Sequence, residues 1–213
     1  MMIPRIVFTA IILGSACLVC SCSTTPGDAA HNGGHFEQAA ELYEAGVKQG
    51  DALAAEKLGN LYYHRPGLPL DHQQAIYWYE KAISLGDISP ICWIGEIYRD
   101  GTNNIPKDLS KARHWFERGA ELGQHYSMYN LADLYASEGI QPSNDVQGLM
   151  WLESVLRLAR KFTPQNEGTA YILRDPKSVR LRLESRMART DIAQATRLAS
   201  DWVTDFEQSH AKK

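Results

Sequence analysis

The chain has 213 residues, a net charge of −3 and four cysteines. Three of the cysteines crowd into CLVCSC, residues 17 to 22, so Cys92 is the only thiol in the rest of the chain. That distribution excludes a disulfide-stapled scaffold and leaves packing to hold the fold.

Residues 1 to 21 read as a secretory signal peptide. One positive charge, Arg5, precedes the uncharged run IVFTAIILGSACLV from Ile6 to Val19, which is the order of a charged start and a short apolar core. The run falls short of the ~20 apolar residues a membrane-spanning helix needs. A C-x-x-C inside a removed segment can hold no metal in the folded product, and Cys17 and Cys20 also lack the βαβ context of a redox pair. VCSC, Val19 to Cys22, resembles a bacterial lipoprotein box: an apolar residue, a variable one, a small one, then the cysteine that accepts lipid. Its thiolate is the nucleophile for a diacylglycerol, and several acyl chains, at ~0.8 kcal/mol per buried methylene, anchor a protein stably. The rival site, GSAC ending at Cys17, lacks the aliphatic first residue. Ser23, rather than Asp, follows Cys22, and by resemblance to Gram-negative sorting this implies the outer membrane, facing the periplasm. The alternative is an ordinary signal peptide and a secreted or surface protein. Residues 22 to 34 then read as a flexible tether.

The remaining chain is long enough for one sizeable domain, and it repeats. KLGNLYY (57 to 63), WIGEIYR (93 to 99) and NLADLYA (130 to 136) follow one another at 36 and 37 residues. EQAAELYEAG, QQAIYWYEKA, SKARHWFERG and VQGLMWLESV interleave with them at 36, 37 and 36. Two interleaved motifs on one period describe a two-element repeat. Both elements are helical by spacing: Ala75, Trp78, Tyr79, Ala82 and Ile83 form one stripe, and Ala55, Leu58, Gly59 and Tyr62 another. Gly59 and Gly95 cost each helix up to ~1 kcal/mol of propensity, and close approach of a neighbouring helix is the compensation. Asp71, Asp108 and Asn144 stand where an N-cap belongs, Ser89-Pro90 reads as an N-cap followed by a first-turn proline, and Gly50, Gly86 and Gly123 mark helix ends.

LGNLY, Asp71, AIYW and Gly86, then IGEIY, Asp108, ARHW and Gly123, resemble the Sel-1-like repeat, a relative of the tetratricopeptide repeat. A third copy has Ala132, Asn144 and Gly148 where the pattern has Gly, Asp and Ala. The resemblance implies an all-α solenoid of antiparallel helix pairs over residues 35 to 160, and a binding role toward another protein or peptide. A leading helix is expected over Phe36 to Gln49. Residues 161 to 213 are expected to be a loop and a helical cap, with helices over Lys177 to Ala188 and Asp191 to Glu207, Thr190 capping the second.

Candidate site residues come from columns that vary between repeats. Lys57, Trp93 and Asn130 form one column, Asn60, Glu96 and Asp133 the next, Tyr63, Arg99 and Ala136 a third. They share one face of the first helix, and Tyr63, Trp93, Glu96 and Arg99 carry the aromatic and charged chemistry typical of binding hot spots. The alternative is a merely solvated face with Trp93 packed against its neighbour. Charge adds a second lead. Cys22 to Val155 holds nine basic against eighteen acidic residues, a balance of −9, and Leu156 to Lys213 twelve against seven, a balance of +5. Lys177, Arg180, Arg182, Arg186 and Arg189 concentrate the basic charge, which can meet anionic headgroups or an acidic partner, or pair with the acidic repeats of the same chain.

No catalytic constellation accompanies these features. The one S-x-x-K, Ser209 to Lys212, stands without S-D-N or K-T-G, His31 and His35 lie in the tether, and there is no HExxH. We therefore expect no enzyme activity, no cofactor, no metal site, no small-molecule substrate and no nucleic acid. The first function expected is an envelope lipoprotein adaptor. Its rivals are a secreted or surface effector that binds a host protein, and a cell-wall enzyme or β-lactamase-like protein. Protease accessibility on intact cells separates the first two, and hydrolysis by purified protein would bring in the third.

Overall fold

The computed structural model describes residues 25–64, 70–102, 104–137, 144–160 and 175–210. Among these residues there are ten helices and no strand: α1 (Pro26–Asn32), α2 (Phe36–Lys48), α3 (Ala52–His64), α4 (His72–Ser84), α5 (Ile91–Asp100), α6 (Leu109–Glu121), α7 (His125–Ala136), α8 (Asp145–Ala159), α9 (Pro176–Glu184) and α10 (Arg189–His210). Each helix packs on its sequence neighbour from α1 to α8, and α10 and α9 close the array against α8. This is the all-α solenoid expected from the two interleaved motifs.

The helix stops and starts follow from single residues. Asp71 accepts a hydrogen bond from the Gln74 amide, and Asp108 from the Lys111 amide, so each meets one of the free N–H groups of a helix start. Gly50, Gly86 and Gly123 take positive φ of 86°, 101° and 79° just past α2, α4 and α6, which a residue without Cβ adopts at little cost. Other caps differ from expectation. Asn144 makes no side-chain cap bond at α8. Helix α5 begins at Ile91 with Pro90 in the N-cap position, so Ser89 is not the cap. The cap helices are Pro176–Glu184 and Arg189–His210, so Thr190 sits within α10 and Asp175 caps α9 through the Ser178 amide. Most of the expected loop, residues 161–174, lies outside the described residues, as do the signal segment and Cys22.

The core is built from a repeated pair. A Cβ added to Gly59 would stand 2.5 Å from Cε1 of Tyr79, and one added to Gly95 would stand 2.7 Å from Cδ1 of Phe116. Tyr79 and Phe116 are fully buried. In these two repeats the aromatic ring of the second helix therefore packs against the first helix where the glycine has no side chain. At the corresponding positions the third copy carries Ala132 and Leu152, both fully buried in one core cluster.

The same contact corrects the expected tether. From Thr25 onward the segment is not a tether: Pro26–Asn32 is a helix closed by a capping box, in which the Thr25 hydroxyl accepts from the Asp28 amide and the Asp28 carboxylate accepts from the Thr25 amide. A Cβ on Gly27 would meet the Tyr43 ring at 2.5 Å. Tyr43 precedes Tyr79 by 36 residues and Phe116 by a further 37. Helices α1 and α2 are thus a shortened copy of the pairs that follow, and the solenoid starts ten residues before residue 35, where it was expected to begin. No helix among the described residues is long and apolar enough to cross a membrane.

Candidate functional site

The variable columns of the first helices form a ladder of side-chain contacts along the array, in which Trp93 packs against its neighbours Tyr63 and Tyr126. At its start, Lys57 Nζ of α3 donates to both carboxylate oxygens of Asp28 on α1, at 2.7 and 2.8 Å, and the Tyr43 hydroxyl donates to the same group at 2.9 Å. Those donors hold the Asp28 carboxyl well below the usual carboxylate range, with the Lys57 bond the largest cause. One repeat on, the Tyr79 hydroxyl donates to Asn60 Oδ1 at 2.7 Å, which is the Tyr43–Asp28 contact repeated with a neutral acceptor.

The four candidate partner residues meet in the middle of the ladder. The Tyr63 ring of α3 lies 6.1 Å from the Trp93 ring of α5, and Trp93 lies 5.6 Å from Tyr126 of α7. Glu96 accepts from the Tyr126 hydroxyl at 3.0 Å and from Arg99 Nη2 at 3.4 Å. Arg99 also donates to Asn130 of α7 and, twice, to Asp100. The bonds tie α5 to α7, and the Tyr63–Trp93 ring contact joins α3 to them. Glu96 is only 7% exposed and Asn130 1%, so part of this chemistry is internal. Burial pushes the Glu96 carboxyl above its ordinary range, against the opposing pull of Arg99 and Tyr126.

A groove opens beside this cluster. It has a volume of about 400 Å³ and runs between the end of α3, the start of α4 and the end of α5, a size at the small end of ligand clefts. Tyr63, Leu70 and His72 line one side, and Glu96, Asp100 and Thr102 the other. Leu70 is 53% exposed, an apolar lip on a polar cleft. Burial pushes the Tyr63 hydroxyl up to about 12, with the Glu96 charge adding to it, and lowers the His72 imidazole, so both are neutral at pH 7. Among the described residues no three or more His, Cys, Asp or Glu side chains converge in a way that could hold a metal ion.

The basic residues of the cap divide. Arg180 pairs with Glu153 of α8, Arg182 with Asp133 of α7, and Arg186 with Asp145 at 2.6 Å. Arg186 also donates to the carbonyls of Tyr135 and Ala136 at the end of α7, where free carbonyls and a negative dipole end favour a cation. Lys177 and Arg189 are exposed. Three of the five candidate basic residues of the cap are therefore paired with acidic residues of the repeats.

Sequence reasoning missed Leu70, His72, Asp100 and Tyr126. The first two flank the capping Asp71 inside PLDH, where the cap itself had absorbed the reading. Tyr126 lies in the first turn of α7, one turn before Asn130, and could have been found by extending the ladder columns backward by four residues.

The Sel1 repeat family model matches residues 52–87, 91–124 and 125–154. Among solved structures, a protective antigen present in uropathogenic Escherichia coli strains and displaying an SLR fold superposes with a TM-score of 0.61 and 24% identity, covering 79% of this chain and 33% of that one. A Sel1 repeat protein from Oxalobacter formigenes gives 0.53 and 25%, covering 71% and 62%. The chain thus spans a third of the first protein's length and under two thirds of the second's. No curated protein matches it.

Proposed function

The chain is a Sel1 repeat protein, and from that premise we propose that it is a lipid-anchored adaptor of the bacterial envelope that holds another protein at the groove beside Tyr63. Repeat arrays of this kind work as protein-interaction scaffolds: each unit adds surface along one face without adding a catalytic centre. The observation that carries the reading is the join of the half-buried Tyr63, Trp93 and Tyr126 rings to a cleft lined by Glu96 and Asp100. Rigid aromatic area beside a few placed charges is what a partner's anchor residues require. The anchor is read from VCSC and the short apolar run before it. It places Cys22 three residues before Thr25, where the helical array begins, so the array would sit close to the membrane surface.

The test is a cross-linked pull-down of the lipidated protein from its own envelope, beside Trp93→Ala and Cys22→Ser. A defined partner captured by the native protein and lost with Trp93→Ala supports the adaptor. Release of Cys22→Ser into the soluble fraction supports the anchor. A partner retained by Trp93→Ala moves the interaction to the exposed basic residues Lys177 and Arg189. Digestion of the protein by protease added to intact cells would place it outside and turn the reading toward a surface effector.

A further inference from the structure

The groove is charged on one side and apolar at its lip. Its carboxylates are Glu96, on the floor, and Asp100, whose side chain is 61% exposed. The cation that faces them is Arg99, and its guanidinium spans both carboxylates as well as Asn130. No Lys or Arg is among the described residues that line the groove. Among the described residues, the two carboxylates Glu96 and Asp100 stand against the single guanidinium of Arg99, and burial lowers the His72 imidazole. Leu70 and the Tyr63 ring supply the apolar surface on which a methylene stem can lie while its charged end reaches the carboxylates.

We propose that this groove takes a basic side chain, Lys or Arg, from an extended segment of the partner protein, its stem on Leu70 and Tyr63 and its charge on Asp100 and Glu96. This rests on the adaptor reading and specifies the chemistry of the segment held. The raised Glu96 carboxyl supports it: one guanidinium does not fully offset the burial of that charge, and an incoming cation completes the compensation. The groove volume of about 400 Å³ suits one or two side chains and not a folded domain. The interaction is electrostatic at a half-open site, so salt weakens it.

The experiment uses the full chain and three fluorescein-labelled dodecapeptides, Gly-Arg, Gly-Gln and Gly-Glu repeats, read by fluorescence anisotropy at 50 and 300 mM NaCl. We expect the Arg peptide to bind and the Gln and Glu peptides not to bind. Asp100→Asn removes one exposed ion pair and weakens the Arg peptide by about fivefold. Leu70→Ser weakens it through the lost stem contact. Asp201→Asn, an exposed carboxylate on α10, leaves it within about twofold, the noise expected of a remote surface charge. Equal weakening by Asp100→Asn and Asp201→Asn would mean general attraction to an acidic chain and would overturn the proposal. So would binding of the Gln peptide as tight as that of the Arg peptide. A pull-down partner lost with Trp93→Ala, together with Arg-peptide binding untouched by Asp100→Asn, would leave the adaptor standing and remove only this inference.

Discussion

Replacing Gly95 by Ala separates two physical accounts of the same helix. By propensity alone the substitution is favourable, because Ala exceeds Gly in a helix interior by about 1 kcal/mol. The contact says the reverse. The new Cβ would stand 2.7 Å from Cδ1 of Phe116, a ring with no exposed surface and therefore no free space to move into. Overpacking of this kind costs about 1–3 kcal/mol, and a fully buried ring belongs at the upper end. After the propensity gain a net loss of about 2 kcal/mol remains, which in a chain of this size lowers Tm by roughly 4–8 °C. The third repeat suggests the rescue. There Ala132 and Leu152 stand at the positions of Gly95 and Phe116 by the repeat spacing, and both are fully buried in one core cluster. The double variant Gly95→Ala with Phe116→Leu should recover most of the loss. Thermal and urea unfolding followed by circular dichroism would report it. A single variant as stable as the native chain, or a double variant no better than the single, would refute the account of these glycines as ring seats.

Three further outcomes follow from the same contacts. Asp28→Asn should destabilise the chain by about 1–2 kcal/mol at pH 7, the value of a charge-assisted bond at a partly open site. Because the native carboxyl is held below its ordinary 3.8, its stabilisation is present above that value and fades as pH falls through the native pKa. Urea midpoints of variant and native chain should therefore converge below about pH 4; a constant gap down to pH 2 would contradict the assignment. Arg186→Ala strands two carbonyls at the end of α7 and the Asp145 carboxylate. It should cost about 2 kcal/mol and speed amide exchange in α9 before α3. Cys92 is 5% exposed and burial pushes its thiol up to about 12, so it should resist a thiol reagent at pH 8 and react at once in 8 M urea, roughly the upper working range of that denaturant.

The period was legible because it is enforced by the backbone. A ring seated on Gly59 or Gly95 admits no larger residue, so the pairs Gly59–Tyr79 and Gly95–Phe116 stay in phase and a reader of the sequence finds them. The first pair was hidden for a physical reason. Helix α1 has seven residues, too few to show a stripe, and its Gly27 sits in PGDAAHNGG, a composition that otherwise marks a linker. The decisive residue was Tyr43, which keeps the spacing of 36 to Tyr79 and needs a glycine opposite it. Asp28, one place after that glycine, stands where Asn60 and Glu96 stand in the later copies.

The candidate site was legible in part as a set of variable columns, and the limit is one of pairing. A column that varies between repeats can vary because it meets a ligand or because it meets a different neighbour in each repeat. Sequence cannot separate the two, since both relax the core constraint. The coordinates do so residue by residue. Lys57, Asn60, Asn130 and Asp133 vary with their intramolecular partners Asp28, Tyr79, Arg99 and Arg182. Arg180 and Arg186 answer Glu153 and Asp145 in the same way. Opposite charge in the two parts of a chain is therefore weak evidence for an external partner until the pairs have been drawn. What the internal ladder leaves over is the smaller set around Tyr63, Leu70, His72 and Asp100. There two carboxylates share one guanidinium and the Leu70 side chain lies half in solvent, which is the surface the proposed partner stem and charge would meet.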